Sequence, residues 1–315
     1  MSIEKRKNYI NQLAKRFACE KITDLMLEVK LPDELFENIS IATKTYISKC
    51  MDSNSVFLDE KELIKELLVR KNLLKNITPN GIVVPKNRVS LEFNILVRAY
   101  VNIINFLDIE DLIHNFHFPP NLRLKYGNVN KLNLNRKHPT ENMHSDTWTG
   151  ANPNWIAVHC FILGDINNNH IRYAQTPDSF SEDWLKPLKS ARDGSEIVKQ
   201  YKIIDYTPKK GNLIIADASI IHQSYRKNNA GIRVSLDTGF DMKMPDLESF
   251  AKTDIDNIDV KKLRYQETIT NSEFLNVGRK TYFHFPDKMS KKVQSKGGFK
   301  HPSNVQIINL NNFSN

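Results

Sequence analysis

Cysteine is scarce and has no pattern. Cys19, Cys50 and Cys160 are three thiols without a C-x-x-C pair, which argues against a disulfide framework and for free thiols in a reducing compartment. No uninterrupted apolar run approaches the length of a membrane span, so no membrane partner is expected. The start, Met1 to Ile10, is charged and lacks the apolar core of a secretory signal, and a soluble, cytoplasmic protein is expected. RNP-like aromatic motifs, zinc-finger spacing and a basic helix are also missing. The formal charge of +9 is spread along the 315 residues, and no nucleic-acid partner is expected. No internal repeat is evident. What is present is a 40% share of hydrophobic residues, ample for a sizeable core.

Residues 1–118 read as mainly helical. Pro32-Asp33-Glu34 suits a first helical turn, where proline loses no hydrogen bond and acids complement the helix dipole. From Asp59 to Leu74 the apolar residues Leu63, Ile64, Leu67, Leu68 and Leu73 fall at helical spacing. Ser90 is placed to cap a longer helix with Leu91, Ile95, Ala99, Ile103 and Phe106 or Leu107 as its inward stripe. His114 and His117 stand three apart, but Pro119-Pro120 follows too closely for a secure helix, and they are read as packing histidines.

After Pro120 the texture becomes that of strands. Asn121 to Leu134 alternates and breaks at Gly127-Asn128. Trp155 to Leu163 is a near-continuous apolar run, the pattern of a buried strand. Tyr201–Tyr206, Asn212–Ala216 and Ile232–Thr238 are further strand candidates, the last behind the turn Lys227–Gly231. Short strands separated by turns over residues 119–241 predict an antiparallel sandwich or barrel. Residues 242–315 read as a C-terminal extension, with a short helix at Leu247–Lys252 and a basic, solvated run at Lys288–Lys300. The whole chain, 1–315, is expected to be one domain.

The chemistry gathers in two stretches. Glu141 to Gly150, E-N-M-H-S-D-T-W-T-G, holds His144 and Asp146, which point to one side of an extended chain. Gly211 to Gly239 holds His222 at the end of an apolar run, then Arg233 and Ser235 in I-R-V-S-L, on a strand that can return antiparallel to the one carrying His222. Two imidazoles and one carboxylate on one face suit Fe(II), leaving positions open for a bidentate cosubstrate and dioxygen. His-x-Asp alone is weak, because a surface turn explains it equally well, and His222 alone could be a core histidine. Arg233 with Ser235 beside it is the equipment for holding a remote carboxylate. A buried arginine needs an anionic partner; Asp237 or Asp217 is the competing, purely structural choice.

The pattern His144-x-Asp146, His222, Arg233-x-Ser235 resembles the Fe(II)/2-oxoglutarate-dependent dioxygenases, and most closely the phytanoyl-CoA hydroxylase-like branch. Asp165, Asn168-Asn169 and Pro177-Asp178-Ser179-Phe180 follow that branch's loop pattern in order, departing at Asn169, Asp178 and Phe180. The stretch H-S-D-T-W is also similar to oxygenases of bacterial surface-carbohydrate clusters. The resemblance covers about residues 120–240. It implies an α+β protein with a double-stranded β-helix (jelly-roll, cupin-like) core and a helical N-terminal region packed on it. It further implies that His144, Asp146 and His222 bind Fe(II) and form the catalytic centre. Arg233 and Ser235 would bind the far carboxylate of 2-oxoglutarate, whose other end chelates the metal. Oxidation of a small-molecule substrate with dioxygen would then yield succinate and carbon dioxide. A carboxylate at 146, which related halogenases lack, favours hydroxylation or another oxidation.

Tyr126 is a further candidate contact to the cosubstrate, with core packing as the alternative. Thr147, Trp148 and Trp155 are candidates for the substrate side, the two indoles by stacking on a flat substrate face. His159, inside W-I-A-V-H-C-F, is read as a satisfied core histidine, and His138 and His170 as solvated. The alternative reading is a metal-dependent cupin-type sugar isomerase or lyase, which has no need of Arg233. The helical flank and residues 242–315 are candidates for shaping the pocket or a homo-oligomer contact.

Overall fold

A computed structural model describes residues 2–51, 54–70, 74, 77–84, 87–109, 111–116, 120–128, 136–242, 282–284 and 306–309. In chain order the elements are α1 (Ile3–Leu13), β1 (Glu20–Thr23), β2 (Met26–Lys30), α2 (Asp33–Cys50), α3 (Glu60–Val69), α4 (Ser90–Leu107), β3 (Ile113–Phe116), β4 (Asn121–Lys125), β5 (Trp155–Gly164), β6 (Asn169–Gln175), β7 (Lys202–Ile203), β8 (Asn212–Asp217), β9 (Ile221–Arg226), β10 (Arg233–Met242), β11 (Tyr282–His284) and β12 (Gln306–Asn309). They fall into two compact units. One comprises 1–31, 79–82 and 122–241, and the other the remainder.

The first unit contains both sheets of interest. One runs β1-β2-β8-β5-β10, with β4 also pairing β10; the other runs β7-β6-β9. An antiparallel bridge, His144 with His222, extends the second sheet by the signature segment. From β4 onward the chain alternates between the sheets: β4 in the first, the His144 bridge in the second, β5 in the first, β6 and β7 in the second, β8, β9 and β10 by turns. That alternation is the double-stranded β-helix, or jelly-roll, path. β5 is buried from Trp155 to Leu163 and β8 throughout, which is why both read as unbroken apolar runs. Across the space between the sheets, the Tyr173 hydroxyl of β6 bonds His159 Nδ1 of β5 at 3.0 Å.

Two features differ from the sequence reading. The N-terminal region is not all helix: β1 and β2 form a hairpin that joins the first sheet, β2 pairing β8 from Met26↔Ala216 to Lys30↔Asn212. Met26, Leu27 and Val29 are fully buried there, but so short an apolar run is invisible to a helical window. The strand carrying Arg233 also does not pair with the one carrying His222. β10 pairs β5 (Arg233↔Gly164, Asp237↔His159, Asp241↔Trp155) and β9 pairs β6. Gly164 has φ +94, and a Cβ there would lie 2.0 Å from the Ile232 carbonyl oxygen, so the close pairing at this end requires glycine.

In α1, Ser2 caps the N-terminus by accepting from Lys5 N. Its Arg6 is wholly buried, bonding both Asp217 carboxylate oxygens at 3.1 Å, Glu182 at 2.9 Å and the Pro153 carbonyl at 2.9 Å. Such a buried ion is tolerated only with this full set of acceptors.

In the second unit, Pro32 precedes α2 and Asp59 caps α3, accepting from Glu62 N at 2.9 Å. α3 ends at Val69 and buries Leu63 and Leu67, while Leu68 is exposed. α4 begins at Ser90, with Val89 and not Ser90 in the capping position. Leu91 and Ile95 face solvent, and Phe93, Leu96, Val97 and Tyr100 are buried with Ala99, Ile103 and Leu107. Phe93 packs on Tyr46 of α2 at 5.4 Å. β11 and β12 pair antiparallel. His117, Leu73, Val129–Leu134, Leu247–Lys252 and Lys288–Lys300 lie outside the described residues.

Candidate metal and carboxylate site

His144 and His222 are fixed to each other by their backbones. His144 N donates to His222 O at 3.0 Å and His222 N to His144 O at 2.9 Å, bringing the rings to 4.6 Å. Ser145 is extended, and its hydroxyl accepts from Thr147 N to cap a 3-10 turn, Asp146–Thr149. Asp146 opens that turn. One ligand atom from each of His144, Asp146 and His222 lies within 4.8 Å of the others, and His222 Nε2 is 3.7 Å from Asp146 Oδ1.

Two of these side chains are oriented by another contact. His144 Nδ1 donates to the Asn142 carbonyl at 2.8 Å, leaving Nε2 as the free lone pair. The Trp155 indole N–H donates to Asp146 Oδ2 at 3.2 Å. Trp155 can lie so close because residue 239 is glycine; a Cβ there would sit 2.3 Å from the indole ring. Burial, reinforced by His222, pushes His144 down to about 4, and burial opposed by Asp146 pushes His222 down to about 4. Burial raises the Asp146 carboxyl, but His222, His144 and His159 outweigh it and the net shift is downward. At neutral pH the trio is therefore two neutral imidazoles and one carboxylate, the protonation state a divalent cation requires.

Arg233 is 0% exposed, and none of its three guanidinium nitrogens has a hydrogen-bond partner among the described residues. Its Cζ lies 5.5 Å from the centre of the Phe161 ring. Neither protein carboxylate suggested as its counter-ion is bonded to it. Asp217 is held by Arg6, and Asp237 is held by the Arg123 guanidinium and the Ser235 hydroxyl, the latter at 2.9 Å. Burial, only partly offset by Asp237, lowers Arg233 to about 10, and the same neighbours leave Asp237 well below the usual carboxylate range despite burial. A buried guanidinium with five unused donors is a fitted receptor for an incoming carboxylate. Ser235 has spent its one proton on Asp237.

The remaining candidates are placed as follows. Tyr126 follows β4; burial raises its hydroxyl to about 12, and its carbonyl accepts from Arg226 at 2.8 Å. The Thr147 hydroxyl bonds Ser145 Oγ at 2.9 Å. Trp148 is 1% exposed and its indole N–H donates to the Trp184 carbonyl. Trp155 stands behind Asp146. His138 is part-buried, and His170 is buried with Nδ1 on the Ile166 carbonyl at 3.0 Å rather than solvated. Sequence reading gave no role to Arg123, which holds Asp237, or to Glu141, whose carboxylate lies 3.4 Å from Lys125 Nζ and 3.3 Å from Arg226. Asp165 and Asn169 shape a loop: Asp165 accepts from Asn168 and Gly231, and Asn169 donates to the Lys125 and Gly231 carbonyls.

No family model matches the chain, and no curated protein matches it. Similar solved structures include an N-substituted L-amino acid dioxygenase from Burkholderia ambifaria AMMD, at 11% identity over 70% of this chain and 86% of that one, TM-score 0.35. Another is the non-heme α-ketoglutarate-dependent carbocyclase SnoK from nogalamycin biosynthesis, at 7% identity over 77% and 84%, TM-score 0.40. A third is AviO1 from Streptomyces viridochromogenes Tue57, at 13% over 73% and 94%, TM-score 0.32. Likenesses at this level carry no function across.

Proposed function

We propose that the chain is an Fe(II)- and 2-oxoglutarate-dependent oxygenase that hydroxylates or otherwise oxidises a small molecule. The observation that carries this reading is the buried Arg233 guanidinium, without a partner among the described residues, in the same jelly-roll core as the His144, Asp146 and His222 cluster. A metal site alone suits many enzymes, including a cupin-type isomerase. A vacant guanidinium beside it makes sense when a carboxylate is due to arrive, because a buried charge without a partner costs stability.

In this reading His144, Asp146 and His222 hold the metal, and Arg233 takes the far carboxylate of 2-oxoglutarate. When bound, the pair supplies dioxygen activation coupled to oxidative decarboxylation, the cosubstrate leaving as succinate and carbon dioxide. The chain's own share is positional. Asn142 and Trp155 aim His144 and Asp146, burial keeps both imidazoles neutral, and the packed sheets exclude water from the guanidinium. The Asp146 side chain is 32% exposed, against 11% for that of His222, which marks the side from which a substrate approaches.

Anaerobic addition of Fe(II) and 2-oxoglutarate together is expected to give a visible charge-transfer band. Succinate release is then screened against sugar nucleotides, amino acids and acyl thioesters in turn. A metal-loaded protein equally active without 2-oxoglutarate would favour the cupin-type reading instead.

A further inference from the structure

The roles above leave His159 unused, although it stands in the middle of them. On β5 it shares a face with Trp155, which bonds Asp146, and with Phe161, which lies against Arg233. Its ring centre is 5.4 Å from that of His222, and Asp237 is its cross-strand partner. Asp237 and Asp146 act on it, with Arg123 and Arg233. It therefore sits between the three-residue cluster and the vacant guanidinium, where a diacid joining the two would pass.

Only one of its ring nitrogens is satisfied. Nδ1 bonds the hydroxyl of Tyr173, itself 1% exposed, at 3.0 Å. With the phenol donating, the proton of the neutral ring resides on Nε2, and Nε2 has no hydrogen bond among the described residues.

We infer that His159 is a ligand-contacting residue, its Nε2–H donating to an oxygen at the metal-proximal end of 2-oxoglutarate, with Tyr173 fixing the tautomer that donates. This rests on the function proposed above, and its test is arranged so that the two can fail separately.

The experiment is an anaerobic titration of Fe(II)-loaded protein with 2-oxoglutarate, read by the charge-transfer band, with Mn(II) affinity measured in parallel. H159F keeps a ring of similar size but has no donor. It is expected to weaken 2-oxoglutarate by about 10- to 150-fold, the range of one lost hydrogen bond to a charged group, and to move the band maximum, while Mn(II) affinity stays within about threefold. H159Q, which keeps an N–H, recovers most of the affinity. Y173F, which unlocks the tautomer, weakens binding by about 3- to 10-fold and decides the matter if H159F does not fold. Wild-type titration and band position in H159F, or in Y173F where H159F is insoluble, overturns the inference. So does a fall in Mn(II) affinity that matches the fall in 2-oxoglutarate affinity, because His159 would then be supporting His222 only. If wild type gives no band and R233A behaves identically, the oxygenase reading itself fails.

Discussion

Arg233 and the two histidines are ionisable groups whose charged forms burial disfavours. Arg233 has an unpartnered charge in the apo protein, so Arg233→Met is expected to leave the fold intact and raise the apo thermal midpoint by a few degrees, consistent with about 1–3 kcal/mol for relieving a buried charge. The same variant should weaken 2-oxoglutarate by roughly 100-fold or more in calorimetry while still binding Mn(II). A lower midpoint with retained cosubstrate binding would show that the guanidinium serves packing alone. His144 and His222 both titrate near 4 in the folded chain, against about 6.5 unfolded. Between those values the unfolded chain binds more protons, so apo stability falls as pH drops from about 6.5 to about 4, by up to roughly 3 kcal/mol per histidine. Urea midpoints measured across that window test this, and a flat profile would contradict the burial of the pair.

At the scale of elements, β5 and the turn facing it set the aim of Asp146. Trp155→Phe keeps an aromatic ring but removes the N–H on the carboxylate. Metal affinity is expected to fall about 10-fold, in the range found for lost outer contacts to a ligand, and the smaller ring, which leaves a cavity beside Gly239, lowers the thermal midpoint of the apo protein as well. α1 is anchored in the same unit by Arg6, whose removal would strand Asp217, a side chain with no exposure. Arg6→Leu is therefore expected to destabilise by about 3–5 kcal/mol, and Arg6→Leu with Asp217→Asn by less than the sum. Additivity in chemical denaturation would mean the two do not act as a pair. The strand periods that made β5, β8 and β10 readable came from both faces being covered. α4 was misread for a related reason: it is apolar on nearly every side, so Leu91 and Ile95 looked as inward as Phe93 and Tyr100, and only packing against Tyr46 chose the face.

At the scale of the whole molecule, the jelly-roll core was legible because its turns carry glycine and its strands are short and apolar. The division of strands between two sheets was not. Pairing of β10 with β5 across some seventy residues is a long-range choice that local pattern does not encode, and so the partnership of His222 with Arg233's strand was drawn in one sheet when it spans two. The β1–β2 hairpin was missed because nothing local distinguishes its few buried residues from a helix. The meeting of His144, Asp146 and His222 was legible only in part: the apolar run before His222 ends with β8 at Asp217, His222 stands on β9 in the other sheet, and Asp146 opens a 3-10 turn rather than an extended strand. The half-satisfied state of His159 was not legible, because it depends on Tyr173 in the opposite sheet. Mn(II) and 2-oxoglutarate together are expected to raise the thermal midpoint by more than the two added singly, each ligand binding only the folded state.

The paired backbone hydrogen bonds between residues 144 and 222 have a further corollary. They tie the two main chains into a two-rung ladder, so local opening there would separate the two rings that the proposed ion bridges. An ion held by both would thus slow amide exchange at these two positions, making their protection a gauge of occupancy.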